Sequence, residues 1–361
     1  MSFLSQEQKD ALEGTAAALA TNGKGITACD ESAGTIGKRF DAVGIENTTE
    51  NRRVYRQMLF TTPQCEDYLC GAILDPETLY QRSDDGVLFP QVLQERGIVP
   101  GVKPHLKIYP LPGTGGDTIM QGLDSLALRC KEYYAAGARF AKWRSPIEID
   151  ISQGRPTDLA IKANMSDLAR YAIICQSEGL MPIVEPDVLL SGSHTLEEAI
   201  GVNTKVLSVL FKEMIDHGIF MAGATLKSNI INPGKDCPKA YSVNEIAKAN
   251  VFVMEQTLPV AIKTANYLSG GQSLEDAAAR LSAINKQNSK GPWNLSFSWS
   301  AALQLPLLEL CKKKGNRLQL DEMSKLYIAE LKIAAAAAKG NLTTGAHGNG
   351  DHIGRKRKQE E

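Results

Sequence analysis

ARFAKWR (138–144) and MPIVEPD (181–187) are two β-rich runs separated by the amphipathic stretch MSDLARYAIICQSEG (165–179). A strand, a helix and a second strand in that order make a crossover unit, whose strands lie parallel and whose helix covers the sheet. Six further runs read the same way: KGITACD (24–30), CGAILD (70–75), VPGVK (99–103), AGATLKSN (222–229), TANYLSGG (264–271) and NLSFSWS (294–300). Helical stretches lie between most of them, including 195–218 and 243–257, with glycine or asparagine breakers near their ends. Eight units without an obvious linker predict a closed (β/α)8 barrel of the TIM type in a single α/β domain. An open doubly wound sheet usually has fewer strands and a glycine fingerprint after its first one.

Composition narrows the function. The 361 residues carry 40 basic and 41 acidic side chains, a formal charge of -1 that steers neither nucleic acid nor an anionic membrane. With 43% hydrophobic and 22% charged residues, the chain is of ordinary globular type. No run approaches the roughly 18 apolar residues of a membrane span. Seven scattered cysteines without a C-x-x-C pair read as reduced thiols, so a cytoplasmic address is expected, or a plastid one if a transit peptide has been removed. The five histidines lack the close spacing of a zinc site, and no Walker A or complete G-x-G-x-x-G occurs, so neither metal nor nucleotide cofactor is expected. The GTGG run (113–116) reads as a turn. The expected division is a barrel with an N-terminal helical extension over 1–341 and a flexible tail over 342–361, because the tail lacks the apolar residues that offset ordering entropy. Its basic run, 355–358, reads as a solvated end.

In such a barrel the reactive groups gather at the carboxyl ends of the strands. The runs end in Asp30, Lys103, Lys142 with Arg144, Glu185 with Asp187, Lys227, and Ser269 with Gly270. Lysines inside apolar strands are disfavoured unless partnered. A barrel lysine among other cations and carboxylates suggests Schiff-base chemistry, since its amine must be neutral to attack a carbonyl.

The segments ACDESAGTIGKR (28–39), ENRRVYRQMLFTT (50–62), FAKWR (140–144), PIVEPD (182–187), TLKSN (225–229) and LSGGQS (268–273) closely resemble class I fructose-1,6-bisphosphate aldolase, in order and with near-constant spacing. The resemblance implies a metal-independent barrel lyase acting on small sugar phosphates and usually a homotetramer. By matching position Lys227 is the nucleophile, Glu185 the acid/base of dehydration, Asp30 the group that orients substrate hydroxyls and assists C3–C4 cleavage, and Lys142 the neighbouring cation. Asp187 stands in the acidic pair with Glu185. Lys103, Arg144, Ser32, Thr35 and Arg39 match positions near the 6-phosphate, and Ser269 and Gly270 match the 1-phosphate cradle.

The chain departs from the family pattern at four places. Ala222 and Ser228 replace a glutamate and a proline around the nucleophile, and Asp187 replaces the usual glutamate. The eighth run reads FSWSAALQ (297–304) where the family commonly has F-S-Y-G-R-A-L-Q, so Ala301 occupies the slot of a phosphate-binding arginine and only the amides of Ser300 and Ala301 remain to donate. No tyrosine follows Tyr327, although many relatives end in one. These losses leave open a binding or scaffolding homologue with reduced catalysis, or an aldolase preferring another ketose phosphate such as sedoheptulose 1,7-bisphosphate. A lysine among Lys312 to Lys314 is a candidate substitute for the missing arginine.

Overall fold

The computed structural model describes residues 3–288, 291–312 and 317–342. The strands are β1 (Gly25–Cys29), β2 (Leu69–Leu74), β3 (Val99–Val102), β4 (Ile108–Pro110), β5 (Thr118–Met120), β6 (Phe140–Ile147), β7 (Met181–Val188), β8 (Thr225–Asn229), β9 (Thr264–Leu268) and β10 (Asn294–Trp299). The helices are α1 (Gln6–Leu19), α2 (Ala33–Asp41), α3 (Thr49–Thr61), α4 (Pro76–Leu79), α5 (Phe89–Glu95), α6 (Leu126–Ala135), α7 (Asp158–Ser177), α8 (Leu196–Asp216), α9 (Val243–Thr257), α10 (Leu274–Gln287), α11 (Ala301–Lys312) and α12 (Leu320–Ala338). Eight parallel strands close into a barrel in the order β1-β10-β9-β8-β7-β6-β3-β2, the (β/α)8 architecture read from the sequence. All eight β-rich runs become its strands.

Two elements differ from the expectation. The GTGG run does turn, but it joins β4 to β5 as an antiparallel hairpin outside the barrel, with Ile108 opposite Met120. Positive φ at Gly113, Gly115 and Gly116 suits that connection. Helix α7 starts well before Met165, because the Thr157 side chain accepts from the Ala160 N–H and caps it there.

Strand alternation sorts the side chains. Ala141 and Trp143 of β6, Val184 of β7 and Leu226 of β8 point outward into the main core beneath the helices, where Trp143 meets Tyr171 at 5.3 Å between ring centroids. Phe140, Met181, Ile183, Ile26 and Ile73 form a second cluster inside the barrel together with Leu12, Ala16 and Leu19 of α1. Helix α1, held by a capping box at Ser5, therefore closes the amino-terminal end of the barrel. Gly101 makes room for the Phe140 ring of this cluster, since a Cβ there would lie 2.1 Å from it. Among the described residues no helix is long and apolar enough to cross a membrane. Of the expected tail only Leu342 is described, and its N–H donates to Ser282 Oγ at 3.3 Å; residues 343–361 lie outside the described residues.

Candidate active site

The alternation that buries Phe140, Ile183 and Ile26 at one end of the barrel sends Lys142, Glu185 and Asp30 inward nearer the other. Lys142 Nζ lies 2.8 Å from Asp30 Oδ2 and 2.9 Å from Glu185 Oε2, and Lys227 Nζ lies 3.6 Å from the same Glu185 oxygen. All four side chains are buried. Asp30 immediately follows β1, whereas Lys142, Arg144, Glu185, Asp187 and Lys227 stand within β6, β7 and β8 rather than at their ends. The strands continue past the chemistry, which sinks the charged groups into the barrel.

Burial lowers the pKa of Lys227, and the Lys142 charge adds to that effect against the opposing pull of Glu185. Burial tends to raise the Asp30 carboxyl, but Lys142, Lys103 and Lys227 outweigh it and hold it well below the usual carboxylate range. Glu185 follows the same balance and ends lowered. Lys142, despite its burial, is pushed upward by Asp30 and Glu185 and stays charged. Two lysines with one strand between them thus have opposite tendencies, one toward the neutral amine and one toward the fixed ammonium.

A second layer surrounds this group. Arg144 donates from Nε to Asp187 Oδ2 at 2.7 Å, and its Nη2 lies 2.7 Å from the same oxygen as an ion pair. Burial raises the Asp187 pKa against the pull of Arg144. Lys103 pairs with Asp75 Oδ2 at 3.1 Å and donates to the Asp30 carbonyl. His105 stands edge-on to Trp143 with ring centroids 5.9 Å apart. Burial, then Lys142 and Lys103, press its pKa well down and keep it neutral. Asp75 and His105 escape the sequence reading; the only signal was Asp75 at the end of its β-rich run.

The phosphate candidates fall into separate groups. Ser32 caps α2, its Oγ accepting from the Thr35 N–H at 3.3 Å and contacting Thr35 Oγ1 at 3.1 Å. Arg39 turns toward β10: its Nη1 donates to Glu31 Oε1 at 2.9 Å and to Ser300 Oγ at 3.0 Å. Ser300 Oγ in turn donates to Glu31, a buried carboxylate that sequence reasoning missed. Arg39 therefore lies on the β10 side of β1, whereas Lys103 and Arg144 lie on the β3 and β6 side. Ala301 begins α11, so its N–H has no acceptor within the helix. Lys312 closes that helix, roughly 16 Å away by helical rise, and pairs with Glu309; Lys313 and Lys314 lie outside the described residues. Lys312 is thus no substitute at position 301. Ser269 and Gly270 follow β9 directly, with Ser269 buried and Gly270 at φ 59°. Among the described residues no group of three or more His, Cys, Asp or Glu is disposed to hold a metal ion.

Known proteins resemble this chain along nearly its whole length. The profile of the family described as fructose-bisphosphate aldolase class-I matches residues 11–358. A fructose-bisphosphate aldolase of Echinococcus multilocularis is 45% identical over 347 residues, covering 95% of each chain. The cytosolic fructose-bisphosphate aldolase 4 of Arabidopsis thaliana is 45% identical over 90% of this chain and 82% of its own. The fold superposes with a TM-score of 0.92 on Plasmodium falciparum fructose-bisphosphate aldolase, solved in complex with TRAP and a small-molecule inhibitor, at 40% identity over 95% of this chain and 98% of that one. A buried lysine beside a glutamate and a second ammonium inside a closed (β/α)8 barrel, matched along nearly its whole length, means that this chain belongs to the class I fructose-bisphosphate aldolase family.

Proposed function

We propose that Lys227 forms the Schiff base of the family's reaction, the reversible cleavage of fructose 1,6-bisphosphate into dihydroxyacetone phosphate and glyceraldehyde 3-phosphate. The observation that carries the assignment is the buried Lys227 amine at 3.6 Å from Glu185, with its pKa lowered by burial and by Lys142. The neutral amine adds to the C2 carbonyl to give a carbinolamine. Glu185, once it has taken up a proton, delivers it to the departing hydroxyl, water leaves and an iminium remains. Asp30, kept as a carboxylate by its lysines, accepts the proton of the C4 hydroxyl; the C3–C4 electron pair moves into the iminium and the aldehyde departs. Lys142 keeps its charge and orients Asp30 and Glu185 from one ammonium. Protonation of the resulting enamine at C3 and hydrolysis return the free lysine.

Lys103, Arg144, Ser32, Thr35 and Arg39 are assigned to the 6-phosphate half of the substrate, and Ser269, Gly270 and the amides of Ser300 and Ala301 to the 1-phosphate half. Arg39 is the exception within the first set, because its bond to Ser300 favours service to whichever phosphate lies beside β10. The homotetramer usual in the family and a cytosolic address, as in the name of the Arabidopsis relative, belong to the same reading. Borohydride added with substrate tests it. The hydride should fix one triose or hexose phosphate adduct on Lys227, and Lys227→Met should abolish the adduct. Glu185→Gln should slow dehydration about 10²- to 10⁴-fold. An adduct mapped to another lysine refutes the assignment.

A further inference from the structure

Lys235 lies in the loop after β8, the sixth strand of the barrel in sequence, yet it reaches the loop after the seventh. Three backbone bonds fix it: the N–H groups of Gly234, Lys235 and Asp236 donate to the carbonyls of His194, Leu190 and Gly192 at 2.8, 2.8 and 2.9 Å. The approach is so close that a Cβ at Gly234 would sit 2.2 Å from the Gly192 carbonyl oxygen. Leu190 also packs beneath Gly270, where an added Cβ would meet its Cδ1 at 3.2 Å. The loops after β7, β8 and β9 are thus locked into one rim. From this rim the Lys235 ammonium comes within 3.3 Å of where a Gly271 Cβ would stand.

Ser269, Gly270 and Gly271 lead straight into α10, capped by Ser273, and both glycines have positive φ, at 59° and 80°. A glycine turn ahead of a 14-residue helix directs backbone N–H groups and a partial positive charge at an anion. Position 301, on the neighbouring strand's helix, carries only a methyl group. We infer that Lys235 supplies a full positive charge at this turn: it binds the 1-phosphate of the ketose and sets the preference for 1-phosphorylated substrates. The inference rests on the reading of Ser269 and Gly270 as the 1-phosphate cradle. Its chemical requirement is modest, because an ammonium on a flexible stem acts as a point charge and needs no fixed fork geometry to meet a phosphate oxygen.

The test is steady-state kinetics of Lys235→Gln, Lys235→Arg and Ser269→Ala on fructose 1,6-bisphosphate and fructose 1-phosphate, with inorganic phosphate as competitive inhibitor. Lys235 is exposed, so each lysine variant should fold with an unchanged thermal midpoint. Lys235→Gln should raise KM for both ketoses and the Ki of phosphate about tenfold with kcat within twofold, and Lys235→Arg should restore all three to within threefold. Unchanged constants in Lys235→Gln overturn the inference, as does a loss confined to the bisphosphate, which would put the ammonium at the other phosphate. Ser269→Ala separates the two levels. If it weakens both ketoses while Lys235→Gln does not, the inference alone fails; if neither variant has an effect, the cradle reading fails with it.

Discussion

Replacing Lys142 by methionine tests the electrostatic logic of the site most directly. Both ammoniums approach Glu185 Oε2, Lys142 at 2.9 Å and Lys227 at 3.6 Å. At an effective dielectric near 20 two unit charges no more than about 6.5 Å apart repel by at least about 2.5 kcal/mol. Because Lys142 stays charged, that repulsion adds to burial in favouring the neutral form of Lys227. Removing Lys142 relieves the repulsion and also leaves Glu185 and Asp30 to hold the remaining ammonium in its charged form, so the pKa of Lys227 rises in the variant. Attack on the carbonyl requires the neutral amine. The pH profile of iminium formation should therefore move to higher pH, and at neutral pH the rate should fall about tenfold or more. The assay is the rate at which dihydroxyacetone phosphate and cyanoborohydride modify Lys227, followed by mass spectrometry across the pH range. Taking one partner from a buried ionic group costs about 3–5 kcal/mol of stability, so circular dichroism must accompany the kinetics. Lys142→Arg keeps the charge and should keep the wild-type midpoint even if its rate falls. Coincident midpoints for wild type and Lys142→Met would refute the reasoning, whatever happened to the plateau.

Ala301→Arg restores a charge-assisted contact of about 1.5–3 kcal/mol and should lower KM for fructose 1,6-bisphosphate about ten- to a hundredfold; an unchanged KM would mean that a side chain at the start of α11 does not reach the phosphate. Glu330 of α12 is buried with Oε2 unpartnered, and burial pushes its carboxyl up to about 8. Its folded pKa lies above the unfolded one, so stability is lost as pH rises from the ordinary glutamate range of about 4.3 to about 8. Glu330→Gln should raise the thermal midpoint at pH 8 and leave it nearly unchanged at pH 5, and equal shifts at both would refute the assignment.

The barrel was legible because strands of a closed parallel sheet are buried on both faces and read as near-continuous apolar runs, as CGAILD and MPIVEPD do. The charged interruptions of those runs, Lys142, Glu185 and Lys227, were legible for the same reason. Their depth was not. As a local pattern ARFAKWR finishes at Arg144, but β6 continues through Pro146 to Ile147, and such extension depends on pairing with β7 that no local pattern records. Glu31 was hidden in another way: it becomes notable only when Ser300, far along the chain, folds against it. Arg39 was legible as a phosphate candidate, but its orientation toward β10 depends on Ser300, 261 residues away. Lys235 has no signal of its own in the sequence, since its position depends on backbone bonds to three residues after β7 and on the turn of a third loop.

The plug formed by α1 gives the barrel a closed floor. Among the described residues Leu12 and Leu19 pack there against Ile26, Phe140 and Ile183, and the charged groups lie toward the far end. In the proposed mechanism the ketose-derived half stays tethered to Lys227 after C3–C4 cleavage, whereas the aldehyde half carries no bond to the protein. Release is then ordered by the covalent tether: glyceraldehyde 3-phosphate leaves first, water frees the second product, and in the direction of synthesis the order runs in reverse.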